Sequence, residues 1–307
     1  MTQEHEDLLA LAAAHLLDPA RAGRRLAATV RCYIKDVRPA FRYLAAHGIS
    51  AALARPADLQ QYLDGLAGRY RPTTIRRKSV SLRAVYLALA ETGAIPANPT
   101  VDLTAPKRRP ASRKPPLPTQ TAKRLLAAPQ PSSAKGVRDR AILTGLLCHG
   151  LSVSELCALD VADLDLAART LRVTGRRGLV RTVALTAQTA AVFRRWSAAR
   201  ALLKPATAAL FVSLHWTTVR AAPGQRISVR GIRQMVRGYL AQVGVREPGV
   251  SCQALRRTYA TLTLVAGADL RAVAASLGHA STATTESYAE DAEMVKDNPA
   301  RYLSGLL

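Results

Sequence analysis

Apolar residues recur at helical spacing along most of this chain, and only one region shifts to a period of two. Residues 1 to about 20 predict a short amphipathic helix that ends at Asp18-Pro19, an added partner-binding or capping element. From Ala27, the positions Val30, Tyr33, Val37, Phe41 and Leu44 predict a helix stopped by Gly48, with Pro39 kinking it or splitting it in two. Pro56 and Asp58 open another helix through Leu59, Tyr62, Leu63 and Leu66. Arg71-Pro72-Thr73-Thr74 caps a third, with Ile75, Val80, Leu82, Val85, Leu87 and Leu89 available for burial; Gly93 and Asn98-Pro99 end it.

The stretch from Lys107 to Pro118, KRRPASRKPPLP, has almost no apolar side chains and reads as an extended, basic boundary between two domains. Beyond Thr119 helical text resumes in TQTAKRLLAA and in RDRAILTGLLCHGLSVSELCALDVADLD, with a break at Gly150 and a new helix opening at Ser154/Glu155. The period then changes. Thr170 to Thr174, a basic turn of Gly175, Arg176, Arg177 and Gly178, and Val180 to Leu185 predict a β-hairpin, with 208–212 as a further strand. Helices return at 187–201 and 229–243.

Composition sharpens this picture. The 307 residues suffice for two cored domains, and an apolar fraction of 49% with only 5% aromatics points to helices packed through Ala, Leu and Val. A formal net charge of +23 points to a polyanionic partner, nucleic acid above all. Cys32, Cys148, Cys157 and Cys252 lack metal-ligand spacing and read as small buried side chains. The N-terminal apolar run has acidic residues before it and is too short to span a bilayer, so a cytoplasmic protein with no membrane partner is expected.

The candidate chemistry lies between Gln253 and Tyr288. Arg256 precedes a helix with Ala260, Leu262, Leu264 and Val265; Gly267 and Asp269 close it and start another through Leu270, Val273 and Leu277. Gly278-His279 ends that helix and can present a ring nitrogen, and the polar run 280–287 leads to Tyr288. A forked cation, an imidazole and a phenol together suit attack on a phosphodiester.

ALRRTYAT, the later LGH and the final Tyr288, in that order, resemble the C-terminal signature of the tyrosine recombinases, or phage integrases. TTIRRKSVSLRAVYLALAETGAIPANPT is similar to the last helices of the family's core-binding domain, and the likeness runs from about residue 27 to Tyr288. It implies a mainly α protein of the DNA breaking-rejoining fold. An N-terminal helical DNA-binding domain (1–106), a basic Pro-rich linker (107–118) and an α-rich catalytic domain with a small antiparallel sheet (119–307) would close as a clamp around double-stranded DNA. The resemblance puts phosphate contacts at Arg71, Arg76, Arg77, Lys78 and Arg83, with Lys107, Arg108, Arg109 and Arg177 in the strap and turn. It also implies a C-terminal tail, with Tyr302, Leu303, Leu306 and Leu307, that docks into a neighbouring protomer of a tetramer.

Carried over by motif, Tyr288 is the nucleophile, forming a phosphotyrosyl link that stores the bond energy, so neither ATP nor a metal or other cofactor is called for. His279 hydrogen-bonds the phosphate, and Arg256 stabilises charge on its non-bridging oxygens. Three positions depart from the pattern. Ser152 stands in Gly150-Leu-Ser-Val-Ser-Glu-Leu156 where the first arginine belongs, Arg176 replaces the turn lysine, and Gln253 replaces a histidine. Losing one oxyanion stabiliser costs about 10²–10³ in rate, and an impaired general acid about 10²–10⁴. Arg138, Arg140 or Arg177 could fill the vacated space. The resemblance therefore implies a site-specific recombinase that cuts and rejoins DNA through Tyr288. The alternative is a catalytically impaired DNA-binding accessory or architectural relative working beside an active recombinase; type IB-like relaxation suits this chain length less well.

Overall fold

The structure is a computed structural model that describes residues 2–20, 25–107, 116–175, 178–214, 224–247, 250–279, 281 and 283–296. Two compact units result, Met1–Ser112 and Arg113–Leu307.

The first unit packs four helices, α1 (Gln3–Leu17), α2 (Ala27–Ala46), α3 (Pro56–Asp64) and α4 (Pro72–Glu91). Leu9, Ala12 and Leu16 of α1 are buried against α2 and α4. The N-terminal helix is therefore an integral layer of this core, not an added element. Pro39 does not split α2, which runs through it as one helix. Proline fits at the first helical position of α3 and α4, where no intrahelical N–H bond is needed. Phe41 meets Tyr86 edge-on at 5.8 Å, and the Tyr86 hydroxyl donates to the Ala51 carbonyl at 3.1 Å. A buried aromatic whose hydroxyl keeps a partner contributes apolar burial without an orphaned polar group. On α4, Ile75, Leu82, Val85 and Leu89 are buried as expected, but Val80 and Leu87 are exposed and Lys78, Ser79 and Ser81 are buried instead.

The second unit is built on α6 (Ala134–Cys148), flanked by α5 (Thr119–Ala127), α8 (Ala187–Leu202) and α10 (Cys252–Val265). Eleven of the fifteen residues of α6 are buried, as a helix enclosed by neighbours requires. A three-stranded antiparallel sheet, in the order β1 (Leu164–Asp165), β2 (Thr170–Thr174) and β3 (Val180–Ala184), carries the predicted hairpin. Its third strand is not 208–212: residues 209–212 are buried, and the segment forms only isolated bridges, Asp160 to Ala209 and Val212 to Arg226. Its apolar side chains fill the core, with Phe211 stacked on Trp196 at 6.2 Å, so hydrophobicity there reflects burial rather than a sheet.

The remaining helices are α7 (Val153–Ala158), α9 (Val229–Gln242), α11 (Leu270–Leu277) and α12 (Ala283–Lys296). Residues 283–287 of the polar run before Tyr288 are thus helical. Cys32 and Cys148 are exposed, against expectation, while Cys252 is buried. Among the described residues no helix is long and apolar enough to cross a membrane.

Candidate active site

The site grows from two tight turns. Gly150 adopts φ +58°, and a Cβ there would stand 2.4 Å from Cδ1 of Tyr259. Only glycine allows the chain to turn so close to that ring. The turn delivers Ser152, which N-caps α7: its Oγ accepts from the Glu155 N–H at 3.2 Å, and its own N–H donates to Glu155 Oε2 at 2.6 Å. This reciprocal capping box aims the Glu155 carboxylate inward.

Glu155 collects two guanidinium groups. Arg181 Nη1 reaches Oε1 at 2.6 Å, and Arg256 Nη1 lies 3.4 Å from Oε2. Burial pushes Glu155 up, but the hydrogen bonds from Arg181 and the Ser152 N–H, with the attraction of both arginines, outweigh it and hold the carboxyl below its ordinary value. Arg256 is fixed further by the Gly150 carbonyl at 2.6 Å and by the Leu277 carbonyl. A guanidinium anchored on backbone carbonyls and a carboxylate is a preorganised cation.

Arg181 belongs to the site although its place in a strand gave no signal. Its position pairs with Val173, whose side chain is buried, so Arg181 shares the inward face of the sheet. Its Nε donates to the Ser276 carbonyl at 2.8 Å, tying β3 to the end of α11.

Gly278 ends α11 in the left-handed conformation, φ +67°. It turns His279 out of the helix, half-exposed, with Nδ1 2.8 Å from Thr285 Oγ1. The His279 ring lies 6.2 Å from that of Tyr288. Tyr288 is 9% exposed and packs with Ala260, Leu264, Val273 and Leu277. Arg257 stands 5.7 Å from its ring centroid and 3.5 Å from Asp291, linking α10 to α12.

A cleft of about 410 Å³ opens beside this assembly, lined by Ser152, Gln253 and Arg256 together with Arg233 and Arg237 of α9. Among the described residues no acidic one lines it. Tyr288 does not line it in this conformation. Arg233 and Arg237 were missed in the sequence, although their spacing of four along an amphipathic helix, next to buried Ile232 and Val236, could have flagged them. Two proposed substitutes for the missing arginine lie elsewhere. Arg138 is buried on Asp139 and the Val212 carbonyl, and Arg140 lines a separate cleft with Pro131 and Arg195. Arg176 and Arg177 fall outside the described residues, as do Arg108, Arg109 and the tail residues Tyr302, Leu303, Leu306 and Leu307.

The basic set of α4 divides. Arg71 and Arg76 are exposed, their guanidinium groups with no ion pair or hydrogen bond among the described residues, and Lys107 is exposed too. Arg77 instead pairs with buried Asp36, and Arg83 donates to the Leu103 carbonyl. Lys78 is 6% exposed; burial lowers its pKa, and its Nζ lies 3.5 Å from the Asp36 carbonyl and 5.5 Å from the Tyr70 ring centroid. Lys78 is thus part of the first unit's interior.

Comparison with known proteins bears on this geometry. Residues 116–294 match the phage integrase family. The tyrosine recombinase XerC of Pelobacter propionicus is 34% identical over 264 residues, 85% of this chain and 83% of that protein. XerC of Myxococcus xanthus is 31% identical over 269 residues, 85% and 86% of the two chains. The XerH site-specific recombinase bound to its difH substrate superposes with a TM-score of 0.70 at 16% identity, over 94% of both chains, a likeness of fold. The chain belongs to the phage integrase family, the tyrosine recombinases.

Proposed function

We propose that this protein is a site-specific DNA recombinase that cleaves and rejoins duplex DNA through Tyr288. The phenolic oxygen forms a bond to the scissile phosphorus as the bond to the 5′ oxygen breaks; the phenol loses its proton and the 5′ oxygen gains one. The 3′-phosphotyrosyl link conserves the bond energy, and attack by a 5′ hydroxyl reverses the step. Arg256 and His279 act on the non-bridging oxygens, and Gln253 adds a neutral hydrogen bond. The observation that carries this reading is Arg256, locked by Gly150, Leu277 and Glu155 at the edge of a cleft that no acidic residue lines among those described.

Further support comes from the surplus of positive charge, from exposed Arg71 and Arg76, and from the XerH relative, which is bound to DNA. Assembly as a tetramer on DNA and a cytoplasmic setting belong to the same proposal. In the conformation described, Tyr288 is packed between α10 and α11, so reaching a phosphate in the cleft requires α12 to shift.

A second reading, a DNA-binding accessory relative, draws on Ser152, whose hydroxyl is occupied as a helix cap and supplies no charge. A pool of nicked suicide duplexes separates the two. The recombinase reading expects a covalent protein–DNA adduct that vanishes in Tyr288→Phe; saturated binding without adduct favours the accessory reading.

A further inference from the structure

We propose that Arg233 supplies the second guanidinium to a phosphodiester held in the cleft, replacing the charge absent at Ser152. The proposal rests on the recombinase reading and adds a residue to its phosphate site. Arg233 projects from α9, whose Ile232, Val236 and Leu240 are buried in the second unit's core, so its helix is firmly seated. It lines the cleft together with Ser152, Gln253 and Arg256. Among the described residues its guanidinium has neither an ion pair nor a hydrogen bond, and it is exposed. That distinguishes it from Arg138, Arg181, Arg226 and Arg256, each of which is tied to a carboxylate.

The charge of Arg233 also acts on two nearby thiols. Burial pushes the Cys157 thiol up to about 11 and raises that of Cys252, and in both cases the charge of Arg233 pulls the other way. Cys157 lies on α7, the helix capped by Ser152, and Cys252 opens α10, one residue before Gln253. Arg233 thus lines the same cleft as Ser152, which caps α7, and Gln253 of α10, and shares it with the anchored Arg256. A guanidinium with no side-chain partner among the described residues, sharing a cleft with Arg256, is stabilised once an anion binds there. Phosphate meets that need with two non-bridging oxygens, one for each guanidinium. The role assigned to Arg233 is to neutralise charge, not to transfer a proton.

The test measures adduct formation by the full-length protein on the nicked-duplex pool. Arg233→Ala should slow adduct formation by about 10²–10³-fold with unchanged urea stability, whereas Arg140→Ala, in the separate cleft, should not. Adding Ser152→Arg to Arg233→Ala should recover most of the loss, which repair of a merely structural defect would not do. An Arg233→Ala protein with the wild-type rate overturns the proposal. Should the wild type form no adduct, the chemical reading fails on its own, and titration with inorganic phosphate decides the role of Arg233. Movement of the Arg233 and Arg256 Nε–H resonances together, with Arg230 still, supports the paired site; a still Arg233 refutes it.

Discussion

Arg181 and Gly278 approach so closely that a Cβ on the glycine would stand 2.9 Å from the arginine Nη1. The same Nη1 binds Glu155, so the turn that presents His279 and the carboxylate that anchors Arg256 are joined through one guanidinium. Gly278→Ala adds left-handed strain of about 1–2 kcal/mol and displaces Arg181. A urea unfolding series should show that loss, and His279 resonances should move with it.

Glu155 ties together β3, α7 and α10 through groups that are largely buried. Glu155→Ala leaves two guanidinium groups without their shared carboxylate and should cost about 3–5 kcal/mol. Because its folded pKa is depressed, this stabilisation is complete above the carboxyl's ordinary value of 4.5 and is lost as pH falls through the lower folded value. Urea midpoints recorded down that acid range should show the loss in wild type and not in Glu155→Ala.

His149 titrates in a different window. It is buried, and desolvation lowers its pKa from 6.5 to about 4. The folded protein keeps it neutral where the unfolded chain would bind a proton. Its contribution is therefore whole above pH 6.5 and falls by up to about 1.4 kcal/mol per pH unit on the way down to about 4. In His149→Leu, the drop in urea midpoint between pH 6.5 and pH 5 should shrink.

Lys78 and Arg76 are neighbours in sequence with opposite fates, one buried and one exposed. Arg76→Ala should reduce the slope of log affinity for duplex DNA against log salt by about 0.9 and leave stability unchanged. Lys78→Ala should destabilise the first unit, seen by urea unfolding, with the salt slope retained.

The Tyr288 hydroxyl has no hydrogen bond among the described residues, while its ring packs in the α10–α12 cluster. Tyr288→Phe should thus unfold within about 0.5 kcal/mol of wild type, whereas Tyr288→Ala, which empties the aromatic site, should lose about 3 kcal/mol. Thermal and urea unfolding of the pair separate the ring's structural part from the hydroxyl's chemistry.

Helices with a continuous apolar stripe were legible in the sequence. Val37, Phe41 and Leu44 of α2 and Leu82, Val85 and Leu89 of α4 are core residues, as their spacing predicts. The helix end at Gly278-His279 also followed from its local signature, whereas Arg256, read as preceding a helix, stands inside α10. What stayed hidden depends on contacts far apart in the chain. Nothing near Arg181 signals that its carboxylate partner lies 26 residues earlier and its carbonyl partner 95 residues later. The helical state of α12 was obscured by its composition, since Thr284, Thr285 and Ser287 have weak helix propensity and its buried residues include the polar Thr285 and Asp291 beside Tyr288 and Ala292. Lys78 looked like one more surface cation because its burial is imposed by α2 and the Tyr70 ring, not by its own neighbours.

The most direct measurement is peptide mapping of protein trapped on the nicked-duplex pool. The expected product is a single nucleotide-bearing peptide, joined through a 3′ phosphate to the oxygen of Tyr288, and its yield should collapse in Arg256→Ala. Attachment at another residue, or saturated DNA binding with no modified peptide, would contradict the account.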